Sequence, residues 1–557
     1  MRLISKVFAV ATVAALCASP AMAAKTLSAG AVASPDIYGA LAAKDVLQHG
    51  GNAVDAAVAT AFALAVTYPE AGNLGGGGFM TLYVHGKPYF LDYRETAPGK
   101  ATAGMYLDAK GDPIATLSLV GNLSSGVPGT VRGMGEAHRR FGKLTWARDL
   151  APAIHYAREG FMVTPELIGI RDGEKADLDK ATNYERYFGG MTAGQTFRQP
   201  DLARTLERIA KGGDKEFYEG RTADLLVAQM ARGPVKGLIS KADLAGYRAI
   251  WREPVVGDWR GFTLVTAPPP SSGGVGLLQM LDMKADDAAL FKGVALNSPQ
   301  YIHLMSEIEK RVFADRAEYM ADPDFVKVPV KALIDPAYVA RRAAEVNPTT
   351  PSTLASVKPG LEKPQTTHFS VIDKWGNAVS NTYTLNGWFG SGVTVEGAGF
   401  LMNDEMDDFS AKTGVPNQFG VVSGGANAIA PYKRPLSSMT PTILTKDGQV
   451  VMVIGTPGGS RIFTSVFQVL ANVYDFDMPL KPALDALRFH HQLLPENVIY
   501  SEPYAPFPEG LTKALAARGY KVEAQDFNGD IEAIEVKDGK PIPGADPRAR
   551  GVAMVIP

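Results

Sequence analysis

Residues 366–385 hold the strongest constraint on how this chain folds, a hairpin whose register follows from the sequence alone. Thr367 to Ile372 and Ala378 to Leu385 alternate in the manner of strands, and Asp373-Lys374-Trp375-Gly376-Asn377 is turn material between them. A hairpin closed by that turn pairs positions symmetrically about Trp375. Thr384 then lies opposite Thr366, give or take one residue for a bulge. Directly opposed residues share a face with Cβ atoms ~4.5–5.5 Å apart, so two hydroxyls come within hydrogen-bonding reach. On spacing alone, a structural Thr–Thr cross-strand pair is the simpler reading. The residues just before, 347–365, are rich in Pro, Thr, Ser and Lys with weak apolar periodicity, as in a surface loop or linker.

The remaining texture mixes helices and strand pairs. Asp36 to His49 and Asn52 to Ala65 have helical apolar spacing and are separated by Gly50-Gly51. Phe79 to Val84 and Tyr89 to Tyr93 flank a turn at His85 to Pro88. Residues 130–350 read as mostly helical, with Pro/Gly loops such as 267–274. Pro441 to Leu444 and Val450 to Ile454 form another strand pair. Helices follow at Ser460 to Asn472 and Leu511 to Arg518, with strands near 520–524 and 531–536. Strand pairs interleaved with helices at this density predict a layered α/β sandwich.

The first residues read as a cleaved leader. Arg2 and Lys6 precede an apolar run from Val7 to Ala18, and Ala21-Met22-Ala23 is a small-x-small cleavage site, so residues 1–23 are a secretory signal peptide. The run is too short to span a bilayer comfortably. The single cysteine, Cys17, lies inside it, which leaves the mature chain without disulfides or thiol chemistry. Loss of Arg2 and Lys6 takes the formal charge from −2 to −4. The product is expected to be secreted, with the periplasm the expected compartment and no membrane partner. With 46% hydrophobic and 20% charged residues the chain is not a disordered, collagenous or multi-span membrane protein. Its balanced charge gives no global attraction to nucleic acid.

Several chemistries are excluded. There is no Gly-rich loop ending in Gly-Lys-Ser/Thr, no Gly-x-Ser-x-Gly elbow and no His-Glu-x-x-His. His490-His491 cannot face one metal from a regular element. His303 and Glu307 on one helix face read as a core or surface contact. Asn403 to Asp408 lacks the spacing of an EF-hand loop, and taken alone it reads as a solvated acidic loop. Gly458-Gly459 taken alone is a strand-to-helix turn, Arg94 a surface ion pair, and Ser437-Ser438 an ordinary loop.

Blocks across the chain resemble the γ-glutamyltransferases. They include Gly51 to Ala57, Gly72 to Phe79, Asp92 to Pro98, Gln365 to Ser370, Thr382 to Asn386, Asn403 to Phe409, Lys433 to Met439 and Gly455 to Arg461. The resemblance implies an N-terminal-nucleophile hydrolase with a four-layer αββα sandwich and an additional helical region in the larger part. It implies self-cleavage between Gln365 and Thr366, giving a large subunit 24–365 and a small subunit 366–557. Thr366 would be the nucleophile, oriented by Thr384, with its own freed α-amino group as base. Gly458 and Gly459 would form the oxyanion hole. Arg94, Ser437 and Ser438 would hold the substrate's α-carboxylate, and Asn386, Glu405 and Asp408 its α-ammonium. Glutathione or another γ-glutamyl compound would be the donor, and water or an amino acid or peptide the acceptor. Thr413 to Gly424 corresponds to a loop covering the site, with Phe419 where tyrosine is usual. No cofactor and no metal are implied. A related cephalosporin-type acylase and an inactive exported γ-glutamyl-binding protein are the alternatives.

Overall fold

The computed structural model describes residues 26–179, 182–353, 366–412, 425–525 and 529–557. The leader, the end of the linker, Gln365 and the covering loop with Phe419 lie outside them.

Two antiparallel sheets carry the architecture. Their strands are Gly30–Ser34 (β1), Gly77–Val84 (β2), Lys87–Asp92 (β3), Ile250–Arg252 (β4), Val255–Trp259 (β5), Phe262–Thr266 (β6), Thr367–Ile372 (β7), Ala378–Thr384 (β8), Thr442–Lys446 (β9), Gln449–Gly455 (β10), Glu532–Lys537 (β11), Lys540–Ala545 (β12) and Val552–Ile556 (β13). One sheet has the order β13-β1-β7-β8-β2-β3-β4, the other β12-β11-β10-β9-β6-β5. Each sheet contains strands from both sides of residue 366, interleaved in the first and joined at the β9–β6 pairing in the second, so a cut there would leave the two segments held together by backbone hydrogen bonds.

The period-two rule assigns each strand's two faces to different cores. Met80 and Leu82 of β2, with Phe369 and Val371 of β7, join a large apolar cluster with the helices Ile37–Gln48 (α1) and Ala53–Thr67 (α2). Met452 and Ile454 of β10 join a second cluster with the helices Gly273–Asp286 (α5), Pro299–Tyr319 (α6) and Arg461–Tyr474 (α7). Val453, between them in sequence, faces the opposite way, into a thin inter-sheet cluster with Ala31, Ala33, Ile372 and Ile443. The layer order is therefore helices, sheet, sheet, helices, as the resemblance implies. Helices Thr130–Phe141 (α3) and Trp146–Glu159 (α4), with further helices between 165 and 246, form the additional helical region.

Three strands, β4 to β6, lie inside the stretch read as helical. They are short and flanked by Pro and Gly, and β4 to β5 cross from one sheet to the other, a placement no local pattern encodes. The strands at the ends of the described chain, β1 and β13, pair with each other and were also not anticipated. His303 and Glu307 make a core contact: both are buried, His303 between Tyr520 and the Asn347 carbonyl.

Candidate active site

The hairpin register holds. Ala378 pairs with Ile372 and Tyr383 with Thr367, with no bulge between them, so the next step along the ladder sets Thr384 against Thr366. Alternation then sorts the hairpin. Tyr383 turns outward, its hydroxyl donating to the Ala61 carbonyl of α2. Thr366, His368 and Ser370 lie on the other face, opposite Thr384, Thr382 and Ser380, and make a polar column between the sheets. His368 is held at both nitrogens, 2.8 Å from Thr382 Oγ1 and 3.1 Å from Ser370 Oγ. Burial pushes its pKa down to about 3, which makes the ring a feeble base for a hydroxyl two residues away. Thr366 itself is 4% exposed.

Beyond Thr384 the chain turns at Asn386, whose φ of 80° is a conformation asparagine tolerates better than most residues. Its backbone N–H donates to Thr384 Oγ1 at 2.8 Å, and its side-chain amide donates to the Asp404 carbonyl at 3.1 Å. Strand β10 ends at Gly455, Thr456 to Gly459 follow as a turn, and α7 begins at Arg461. Gly458 and Gly459 have φ of 136° and 56°, so both sit where a side chain is strained. Among the described residues neither N–H has a hydrogen-bond partner. Both stand at the positive end of a fourteen-residue helix, a setting that favours a developing negative charge. Ser460 and Thr464 fix this turn from behind through His490 and Gln492. His491 points elsewhere, to the Val498 carbonyl, so the two adjacent histidines do not converge.

The other end of the cleft is charged. Arg94 is 1% exposed; Nη1 binds Glu405 and Nη2 binds Asp408, while Nη2 also donates to the Leu436 carbonyl at 3.2 Å. Glu95 Oε2 lies 3.7 Å from the same guanidinium. The acidic stretch is thus not a solvated loop. It is a buried 3₁₀ turn, Glu405–Asp408, anchored by Asn403, whose amide donates to the carbonyls of Gly75 and Gly126. Arg94 is likewise no surface pair, because Tyr247 and the 435–436 carbonyls enclose it. Three carboxyls share one guanidinium. Burial raises the pKa of Glu405 and Asp408 despite Arg94, and it brings Glu95 up to about 7.

Arg94, Thr366, Thr384, Asn386, Glu405, Asp408, Ser437, Ser438 and Gly459 all line one small cleft, with Met439 and Ile462. Gly458 adjoins it in sequence. Sequence reading missed Glu95, although it follows Arg94 directly; no signal separates it from any other strand-end glutamate. It also missed Asn427, whose side chain ties the Asp408 carbonyl to the Leu436 N–H, and Arg316, which donates to Ser272 Oγ and Ser438 Oγ.

The γ-glutamyltranspeptidase family model matches residues 39–556. The chain belongs to the γ-glutamyltranspeptidase family. It is 62% identical to the glutathione hydrolase proenzyme of Pseudomonas aeruginosa over 546 residues, 98% of each protein. A solved γ-glutamyltranspeptidase chain from Pseudomonas nitroreducens, complexed with L-DON, is 60% identical; the match covers 60% of this chain and 99% of that one, with a TM-score of 0.59. The cephalosporin acylase of Bacillus halodurans superposes over 95% of this chain and 96% of its own, with a TM-score of 0.82 at 29% identity. The fold, the N-terminal-nucleophile class and the enzymatic reading stand together on these matches.

Proposed function

We propose that this family member is a self-processing γ-glutamyltransferase and glutathione hydrolase whose nucleophile is Thr366. The observation that carries the reading is the convergence, in one cleft, of the threonine that precedes β7, Gly459 of the glycine turn and a buried guanidinium–carboxylate cluster. Cleavage before Thr366 frees an α-amino group with a reference pKa of ~7.7–8, partly neutral near pH 7. That amine takes the Thr366 hydroxyl proton as Oγ attacks the γ-carbonyl, and Thr384 orients the hydroxyl. The tetrahedral oxyanion accepts from the Gly458 and Gly459 N–H groups, and losing one such donor typically costs ~3 kcal/mol. The leaving amine takes the proton, and an acyl-enzyme ester remains. Water or an amino-acid acceptor, deprotonated by the same amine, then releases the glutamyl group and regenerates Thr366.

Recognition uses the zwitterionic end of the donor. Ser437 and Ser438, with Arg94, meet the α-carboxylate. Glu405, Asp408 and Asn386 meet the α-ammonium. Three carboxyls against one guanidinium leave a surplus of acid, which a ligand ammonium neutralises; a glutaryl group lacks that ammonium. Export by the leader 1–23 and division into 24–365 and 366–557 complete the reading. The larger part would be about six-tenths of the chain, the share that the solved P. nitroreducens chain covers.

The test joins processing to turnover. N-terminal sequencing of the smaller fragment should begin at Thr366, and Thr366→Ala should give one uncleaved band with activity down by about 10⁴-fold or more. A Thr366→Ala protein that still matures and releases γ-glutamyl anilide overturns the proposal. Full activity on a glutaryl donor would favour the acylase reading, and an uncleaved wild type would favour a binding protein.

A further inference from the structure

Far from the hairpin in sequence, three helices of the larger part bring their ends together at Asp55, His138 and Asp149. Asp55 is in the first turn of α2, His138 in the last turn of α3 and Asp149 in the first turn of α4. One ligand atom from each lies within 4.8 Å of the other two. Asp149 is wholly buried, and among the described residues neither of its carboxylate oxygens accepts from an N–H or hydroxyl donor; the group it meets is the carboxyl of Asp55. His138 Nε2 stands 3.6 Å from Asp149 Oδ2 and 3.0 Å from the Leu144 carbonyl. A buried carboxylate without a donor is costly unless something positive meets it.

We propose that Asp55, His138 and Asp149 form a divalent-cation site of the zinc type that fastens α2, α3 and α4 together. Ligand atoms at ~2.0–2.2 Å around a tetrahedral zinc ion stand about 3.4 Å apart, close to the separation found between His138 and Asp149. One imidazole with two carboxylates suits zinc or manganese better than calcium or magnesium. The Leu144 carbonyl completes the set. Asp55 already accepts from the N–H groups of Asn52, Lys143 and Leu144, the kind of outer support that orients a ligating carboxylate. Trp146 packs edge-on against the His138 ring, 5.3 Å between centroids, and fixes its plane. The role is structural, and it departs from the sequence expectation that no metal is involved.

Mature protein stripped with EDTA should be titrated with zinc chloride by calorimetry. Expected are one zinc ion per chain and a higher unfolding temperature in zinc than in EDTA. Asp149→Asn, which removes the ligand charge at nearly constant shape, should weaken binding at least about tenfold, as should His138→Gln. His155→Ala, on the exposed side of α4, should leave binding unchanged. Absence of saturable binding, or binding equally tight in Asp149→Asn and wild type, overturns the site. None of these readouts depends on turnover, so the outcome is separable from the function proposed above.

Discussion

The two ends of the cleft are built differently. The end with the proposed nucleophile comes from a hairpin and a strand-to-helix turn, and its groups are hydroxyls and backbone amides held by register and by φ values. The proposed recognition end collects residues 94–95, 386, 405–408 and 437–438, and its order rests on one guanidinium balanced against three carboxyls. Geometry governs the first and electrostatic balance the second. A substitution at the first should therefore act on kcat, and one at the second on KM and on the response to pH.

Arg94→Lys tests that separation most severely. A single ammonium cannot span Glu405 and Asp408 as the guanidinium fork does. KM for the γ-glutamyl donor should rise about 100-fold, while cleavage before Thr366 continues. Loss of maturation in this variant would show that the two ends are not independent. Unfolding temperature should also fall, because a buried ion cluster left short of partners is destabilising by about 3 kcal/mol or more.

Gly459→Ala probes the other end. At φ 56° an alanine is strained by about 1–2 kcal/mol, and relief of that strain swings the N–H groups away from the carbonyl. We expect kcat to fall about tenfold with KM unchanged, read from steady-state kinetics on a γ-glutamyl anilide. A rise in KM instead would place this turn in substrate recognition.

The smallest effect concerns protons. Glu95 has its pKa raised by burial to about 7, above its unfolded value, so between about pH 4.5 and 7 the folded protein binds more protons than the unfolded chain. Stability from this group is complete below that window and is lost as pH rises through about 7. Thermal unfolding of wild type should drop more between pH 5 and 8 than that of Glu95→Gln. Equal slopes would mean that Glu95 is already ionised, with its charge met by Arg94.

The hairpin register was legible because a five-residue turn and period-two alternation leave one pairing, and β7–β8 keep it without a shift. The helices α1, α2 and α7 were legible for the same reason, their apolar spacing being local. Strands β4 to β6 were not: β4 pairs with β3 far back in the chain, and the β5–β6 hairpin, though local, consists of short segments that carry little pattern. Arg94 and the 403–408 stretch were misread in isolation because charge in a sequence looks solvated by default. Burial is a property of what packs around a residue, and here Gly75, Gly126 and Tyr247 arrive from distant segments.

By itself, then, the chain's order of residues determined the helices α1, α2 and α7, the opposition of Thr366 to Thr384 and the glycine turn before α7, since each depends on neighbours a few positions away. Only the tertiary structure decided that Arg94 meets Glu405 and Asp408, that Glu95 joins them, and that Asp55, His138 and Asp149 converge. Those encounters span tens to hundreds of residues, and they exist only once two sheets and their outer helices have packed and water has been excluded from between the charges.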